Sequence, residues 1–146
     1  MPSSESAPSG RCRYAARVDT ASTRTARPLV TARTAAVWAV LRRELEKHAG
    51  RELTVLDVGG GTGGFAVPLA EAGHAVTVVD ASPDALAALT RRAADAGVAE
   101  RVRAVQGDGD ALAALVAPGS VDLILCHSVL EVVDDPAGVV GAIAAA

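Results

Sequence analysis

Two carboxylates and a run of glycines carry the chemistry that this sequence can support. The segment Val55-Leu56-Asp57-Val58-Gly59-Gly60-Gly61-Thr62-Gly63-Gly64 places an acid just ahead of a glycine cluster, and Asp80 lies 19 residues after Gly61. Glycine tolerates positive φ and has no Cβ, so such a loop turns tightly and lets a ligand approach bare backbone. A carboxylate ending the next strand can accept from both hydroxyls of a ribose. Gly59, Gly61 and Gly64 satisfy G-x-G-x-x-G, a dinucleotide fingerprint, with Asp80 about where its ribose-binding acid belongs. Gly59, Gly61 and Gly63 equally satisfy D-x-G-x-G-x-G, led by Asp57. Spacing alone leaves both open.

Charge separates them. A dinucleotide sets a pyrophosphate on the loop, where the neighbouring Asp57 would repel it. S-adenosylmethionine carries no phosphate, and its sulfonium and ammonium groups are cationic. Residues 52–146 hold four Lys/Arg against thirteen Asp/Glu, a sum of −9, which suits the cation better. Residues 1–51 sum to +6, so the basic end of the chain could meet an anionic partner such as RNA, or could be a solvated Arg-rich arm.

The elements that must position these residues alternate along the chain. Residues 1–33, rich in Ser, Thr, Ala, Pro and Arg, are expected to form a flexible basic arm. From Thr34, Val37, Trp38, Leu41 and Leu45 recur at helical spacing, with a stop predicted at Gly50. Strands are predicted over Leu53–Val58, Ala75–Asp80, Arg101–Gln106 and Val121–Cys126. Helices are predicted over Phe65–Ala72, from Pro83 behind a Ser82 cap to Gly97, over Asp110–Val116, and from Pro136 onward. Four near-continuous apolar strands, each followed by a helix, imply an α/β fold: a parallel sheet with helices on both faces. Ligands of such sheets bind beyond the carboxyl ends of the strands, at the switch point.

Composition closes off other classes. With 146 residues, half of them hydrophobic, and a mean hydropathy of +0.29, the chain is not wholly disordered. Aromatics at 2 % argue against binding through stacked bases. No apolar run reaches the ~20 residues that span a bilayer, and no secretory signal opens the chain, so a cytoplasmic location without membrane contact is expected. Cys12 and Cys126 are far apart without metal-ligand spacing, and no metal is expected. His127 directly follows the fourth strand at the presumed site and is either a substrate contact or an exposed strand end. Glu131, four residues on, could share a helical face with it. Thr62 could cap the first helix after the loop or touch ligand.

Four ordered blocks, VLDVGGGTGGFAVPLA, VTVVDASPDAL, VRAVQGDGDAL and VDLILCHSVLEVVDDP, resemble the class I S-adenosylmethionine-dependent methyltransferases, whose fold is Rossmann-like. The resemblance spans about residues 53 to 136. It implies that Gly59, Gly61 and Gly63 line the methionine part of the cofactor, with Asp57 reaching its amino group through water. Asp80 would hold the ribose hydroxyls, Ala81 and Ser82 would border the adenine, and Asp108 with Gly109 would meet its exocyclic amine. Cys126 and His127 would floor the site. Methyl transfer from a sulfonium is an in-line displacement that rests on positioning, and a base is needed only if the acceptor must lose a proton. His127 is then the first candidate base and Glu131 the second. The last block behind a GGG loop is also similar to the bacterial tRNA 5-carboxymethoxyuridine methyltransferases, which implies a tRNA acceptor beside the small-molecule acceptors of the wider family.

The family's seven strands run in the order 3-2-1-4-5-7-6, and this chain is expected to hold only the first four. The expectation is therefore a truncated domain with an intact cofactor site and weak or absent turnover. Its fourth strand would form an apolar edge open to a partner chain or to self-association. A NAD-dependent oxidoreductase and a non-catalytic cofactor-binding or partner module are the rival readings.

Overall fold

A computed structural model describes residues 32–107, 112 and 116–146 of the protein. The described chain divides after Arg42 into two compact units. Helix α1 (Ala32–Lys47) runs across that division, and everything below concerns residues 43–146. The arm expected over residues 1–33 lies almost wholly outside the described residues, as does most of the helix expected over Asp110–Val116.

Four apolar runs become strands β1 (Thr54–Val58), β2 (Ala75–Asp80), β3 (Val102–Gln106) and β4 (Leu123–Cys126). All pairings are parallel, in the order β3-β2-β1-β4. The register is level: Val58 pairs with Val79 on one side and Cys126 on the other, and Asp80 pairs with Gln106. The chain moves outward from β1 to β2 and β3, then crosses back to β4. The crevice beyond β1 and β4 is thus the switch point that the alternating pattern predicts.

Short helices fill the crossovers. Helix α2 (Ala66–Glu71) and helix α3 (Pro83–Asp95) follow β1 and β2. Ser82 starts α3 from extended backbone, its Oγ accepting from the Ala85 N–H at 3.2 Å, with Pro83 in the first turn. Leu86, Leu89 and Ala93 recur at helical spacing and are buried, each leucine contributing about 2 kcal/mol through burial. Gly97, at φ +71°, ends the helix where the left-handed turn falls. Helix α4 (Pro136–Ala145) is capped by Asp135, whose carboxylate accepts from the Gly138 N–H at 2.9 Å.

The strands supply the centre of the core: Val55, Leu56, Val58, Val76, Val78 and Val79 are all buried. At the opposite end from the crevice, Asp122 joins the approach to β4 onto β1. One of its oxygens accepts from the Thr54 N–H at 2.9 Å and the other pairs with Arg51. The amide bond, foremost, holds the Asp122 carboxyl below its ordinary range. The two edges of the sheet differ. β3 exposes Arg103 and Gln106, whereas β4 is apolar and half-buried at all four positions.

Candidate cofactor site

At the end of β1 the chain turns through Gly59, Gly61 and Gly63 at φ +68°, +54° and +80°. The Gly59 N–H donates to Val79 O at 2.7 Å, and the Gly63 N–H closes a turn onto Gly60 O at 2.9 Å. Three glycines of the loop are required sterically as well. A Cβ on Gly59 would run into the Val129 side chain, one on Gly60 into the Asp57 carboxylate, and one on Gly63 into the Leu89 side chain. Gly63→Ala therefore combines left-handed strain with overpacking, and a loss of about 2–4 kcal/mol in chemical denaturation is expected. A loss under about 0.5 kcal/mol would show that the loop relaxes instead.

Asp80 ends β2 with both oxygens turned to the site. Oδ2 accepts from the Gly61 N–H at 2.8 Å and Oδ1 from the Ser82 N–H at 2.8 Å. A carboxylate has about four acceptor positions, so two remain for a ligand. Gly107 after β3 donates to Asp80 O at 3.1 Å, drawing the ends of β2 and β3 together. Ala81 stands beside the crevice, while the Ser82 hydroxyl is taken by the α3 cap.

Asp57 is the buried charge of the site. Only 1 % of it is exposed, and its Oδ2 has no hydrogen-bond partner among the described residues. Burial foremost, and the Asp80 charge next, push its carboxyl up to about 7. Partial burial of its own, with the Asp57 charge next, raises the Cys126 thiol. Cys126 packs half-buried against the cluster of Leu56, Val58 and Val139.

The crevice holds about 430 Å³, within the range of small-molecule sites. Val58, Gly59, Asp80, Ala81 and Gly107 form one side, and Ser128, Val129, Val132 and Val133 much of the other. Asp134 and Asp135 join Asp80 at its wall, and no Lys or Arg lines it among the described residues. Such a wall favours a cationic ligand over a pyrophosphate.

The other residues that the sequence singles out fall differently. The His127 ring lies edge-on to Phe65, with centroids 5.6 Å apart, and its Nδ1 is 3.4 Å from Ser128 Oγ. Its Nε2 is buried without a partner among the described residues, and the crevice wall passes to Ser128 and Val129. Glu131 is exposed and does not share a helical face with His127. Ser128 takes φ +61° and the Val132 N–H turns back to Val129 O, so residues 127–135 form turns. Thr62 does not cap α2, whose N-terminus has no side-chain cap. It is held by Arg92 instead, a long-range contact without any local signal in the sequence. Asp108 and Gly109 lie outside the described residues. His74 accepts from the Leu53 N–H at 3.3 Å away from this site, and burial foremost lowers its titration.

Comparison with known proteins supplies the identity. Residues 55–146 match the family described as "Methyltransferase domain". The chain belongs to this methyltransferase family. Within it, the chain is 38 % identical over 108 residues to the tRNA 5-carboxymethoxyuridine methyltransferase of Escherichia coli K12, covering 73 % of this chain and 41 % of that protein. It is 41 % identical over 90 residues to the ubiquinone biosynthesis O-methyltransferase of Ralstonia nicotianae, covering 62 % and 37 %. The chain thus spans about two-fifths of the length of the curated relatives it matches. The YcgJ protein of Bacillus subtilis superposes with a TM-score of 0.61 at 26 % identity, covering 73 % of this chain and 44 % of that one. The bifunctional kinase-methyltransferase WbdD superposes at 0.57 and 24 %, over 66 % and 21 %. The methyltransferase domain thus has the Rossmann-like architecture expected from its strand pattern, and the oxidoreductase reading of the glycine loop falls. No helix among the described residues is long and apolar enough to cross a membrane.

Proposed function

We propose that this chain binds S-adenosylmethionine in the crevice beyond β1 and β4 and serves methyl transfer to an acceptor on tRNA. The observation that carries the cofactor reading is Asp57: a buried carboxylate oxygen without a partner among the described residues, directly beneath the bare Gly60 backbone. A buried acid of this kind calls for a cation, and the ammonium of the methionine part supplies one. The residues present fit the cofactor elsewhere too. Asp80 has acceptor positions left for the ribose hydroxyls, and Ala81 and Ser82 would border the adenine; Asp108 and Gly109, which the family resemblance assigns to the adenine amine, lie outside the described residues. Gly59, Gly61 and Gly63 offer backbone to the methionine part, and Cys126 contributes the floor.

When bound, the cofactor supplies an electrophilic methyl on a sulfonium. The chain's own part is to hold that group in line and keep water from it, which suffices for a carboxylate acceptor. A hydroxyl acceptor would need a base; His127 is the first residue proposed and Glu131 the second, although neither lines the crevice among the described residues. The tRNA reading rests on the Escherichia coli relative and on the +6 sum of residues 1–51; the Ralstonia relative makes a small-molecule hydroxyl the second reading. The apolar β4 edge, unpaired among the described residues, is proposed as the surface where a partner chain or a second copy adds a strand.

Calorimetric titration with S-adenosylmethionine, S-adenosylhomocysteine and NAD tests the core of this. Saturable binding of the first two and none of NAD is expected. Binding of NAD alone would sink the proposal. Transfer of a tritiated methyl to tRNA, rather than to a small phenol, would then place the acceptor.

A further inference from the structure

The glycine loop is tied down on three sides, and only two of the ties come from the sheet. Gly59 is held by Val79, and Gly61 by Asp80. The third reaches in from α3. Arg92 Nη1 donates to Thr62 O at 2.6 Å and lies 3.3 Å from Thr62 Oγ1. One turn earlier on α3, Leu89 fills the space where a Cβ of Gly63 would stand. Residues three apart share a helix face, so α3 turns Leu89 and Arg92 together onto the loop.

The peptide that Arg92 holds is the informative one. Its carbonyl belongs to Thr62 and its N–H to Gly63, and the two point in opposite directions because the peptide is planar. With the carbonyl fixed outward on the guanidinium, the N–H is fixed inward, where it closes the turn onto Gly60 O. Gly60 lies directly over the buried Asp57 carboxylate. Glycines flanking Thr62 would otherwise let this peptide rotate at little steric cost. A guanidinium stays charged at every working pH, and here its Nη1 alone reaches both the carbonyl and the hydroxyl of Thr62.

We propose that Arg92 is a positioning residue for the cofactor: acting through Thr62, it holds the loop in the shape that receives the amino-acid end of the ligand. The proposal rests on the cofactor reading above and names a residue that makes no contact with the crevice itself. A merely structural role for Arg92 would weaken all ligands alike and lower the melting temperature. A positioning role discriminates between ligands, because 5′-methylthioadenosine keeps the adenosine part but lacks the amino acid.

Calorimetry on the full chain with S-adenosylhomocysteine and with 5′-methylthioadenosine separates the two. Arg92→Met is expected to weaken S-adenosylhomocysteine by about tenfold, the scale of one charge-assisted hydrogen bond, and 5′-methylthioadenosine by less than about twofold. Arg92→Lys, which restores one donor and the charge, is expected to recover part of the loss, with the melting temperature of both variants unchanged. Equal weakening of both ligands, or no weakening of either, would overturn the proposal while leaving the cofactor reading intact. Failure of the unmodified chain to bind either ligand would overturn both.

Discussion

Replacing Asp80 by alanine is expected to raise the Kd for S-adenosylhomocysteine by about 100-fold or more, the loss of two hydrogen bonds to a charged acceptor. The expectation follows from where the carboxylate stands and what it already does. Each oxygen accepts one backbone N–H, from Gly61 and from Ser82, and each keeps a position free for a ribose hydroxyl. Unlike Arg92→Met, the change should weaken 5′-methylthioadenosine as severely as S-adenosylhomocysteine, because both ligands carry the ribose. Asp80→Asn keeps one acceptor oxygen and is expected to fall between, at about tenfold. The fold should survive, since Gly61 is half-buried and Ser82 exposed, so the two amides released can turn to water, at about 1 kcal/mol each. Calorimetric binding within about threefold of the unmodified chain would remove Asp80 from the site.

Asp80 is legible in the sequence because everything that places it is local. A β-branched run, VTVVD, ends at Asp80, and a cap of Ser82 and Pro83 starts the next helix, so the acid must stand at a strand terminus. The glycine loop is legible for the same reason, and so is the switch point of the strand order, which follows from the alternation of strands and helices. What pattern does not supply lies between elements distant in the chain. Arg92 meets Thr62 across 30 residues, and nothing in RRAAD distinguishes it from its neighbour Arg91. The stretch after β4 departs from its pattern for a different reason. Helical spacing between His127 and Glu131 is a pattern of two residues, and a single left-handed residue, Ser128, is enough to break it. Thr62 shows the competition directly: as a threonine near a helix start it suits a cap, but a guanidinium from another helix takes its oxygens.

Asp57, which the sequence places ahead of the glycine loop, is buried in the structure, and a pH dependence of the site is expected from it. Its folded titration point of about 7 lies far above the ordinary carboxylate value of 3.8. Between these two values the native chain holds a proton that the unfolded chain has lost. Raising the pH therefore removes stability across that window: the penalty is absent below about 4 and complete above about 7. Its full size is about 4 kcal/mol by the linkage relation, with burial the larger cause. Asp57→Asn removes the titration, so the ligand-free variant should equal the unmodified chain near pH 4 and exceed it in urea denaturation at pH 8.

Binding should run the opposite way. The ligand's ammonium favours the ionised carboxylate, so affinity for S-adenosylhomocysteine is expected to rise between pH 5 and 7, at most about tenfold per unit, and level off above. In Asp57→Asn the profile should be flat and weaker at pH 8, by about tenfold. 5′-Methylthioadenosine, which has no ammonium, should show no such slope on either chain. The groups facing Asp57 bear on the midpoint. Cys126, on the adjoining strand, is itself pushed up and stays neutral through this range, whereas the Asp80 carboxylate contributes to the elevation. Asp80→Ala should therefore move the denaturation window of Asp57 downward without abolishing it, because burial remains. An S-adenosylhomocysteine affinity that is the same at pH 5.5 and pH 8 on the unmodified chain would show that Asp57 does not receive the cation.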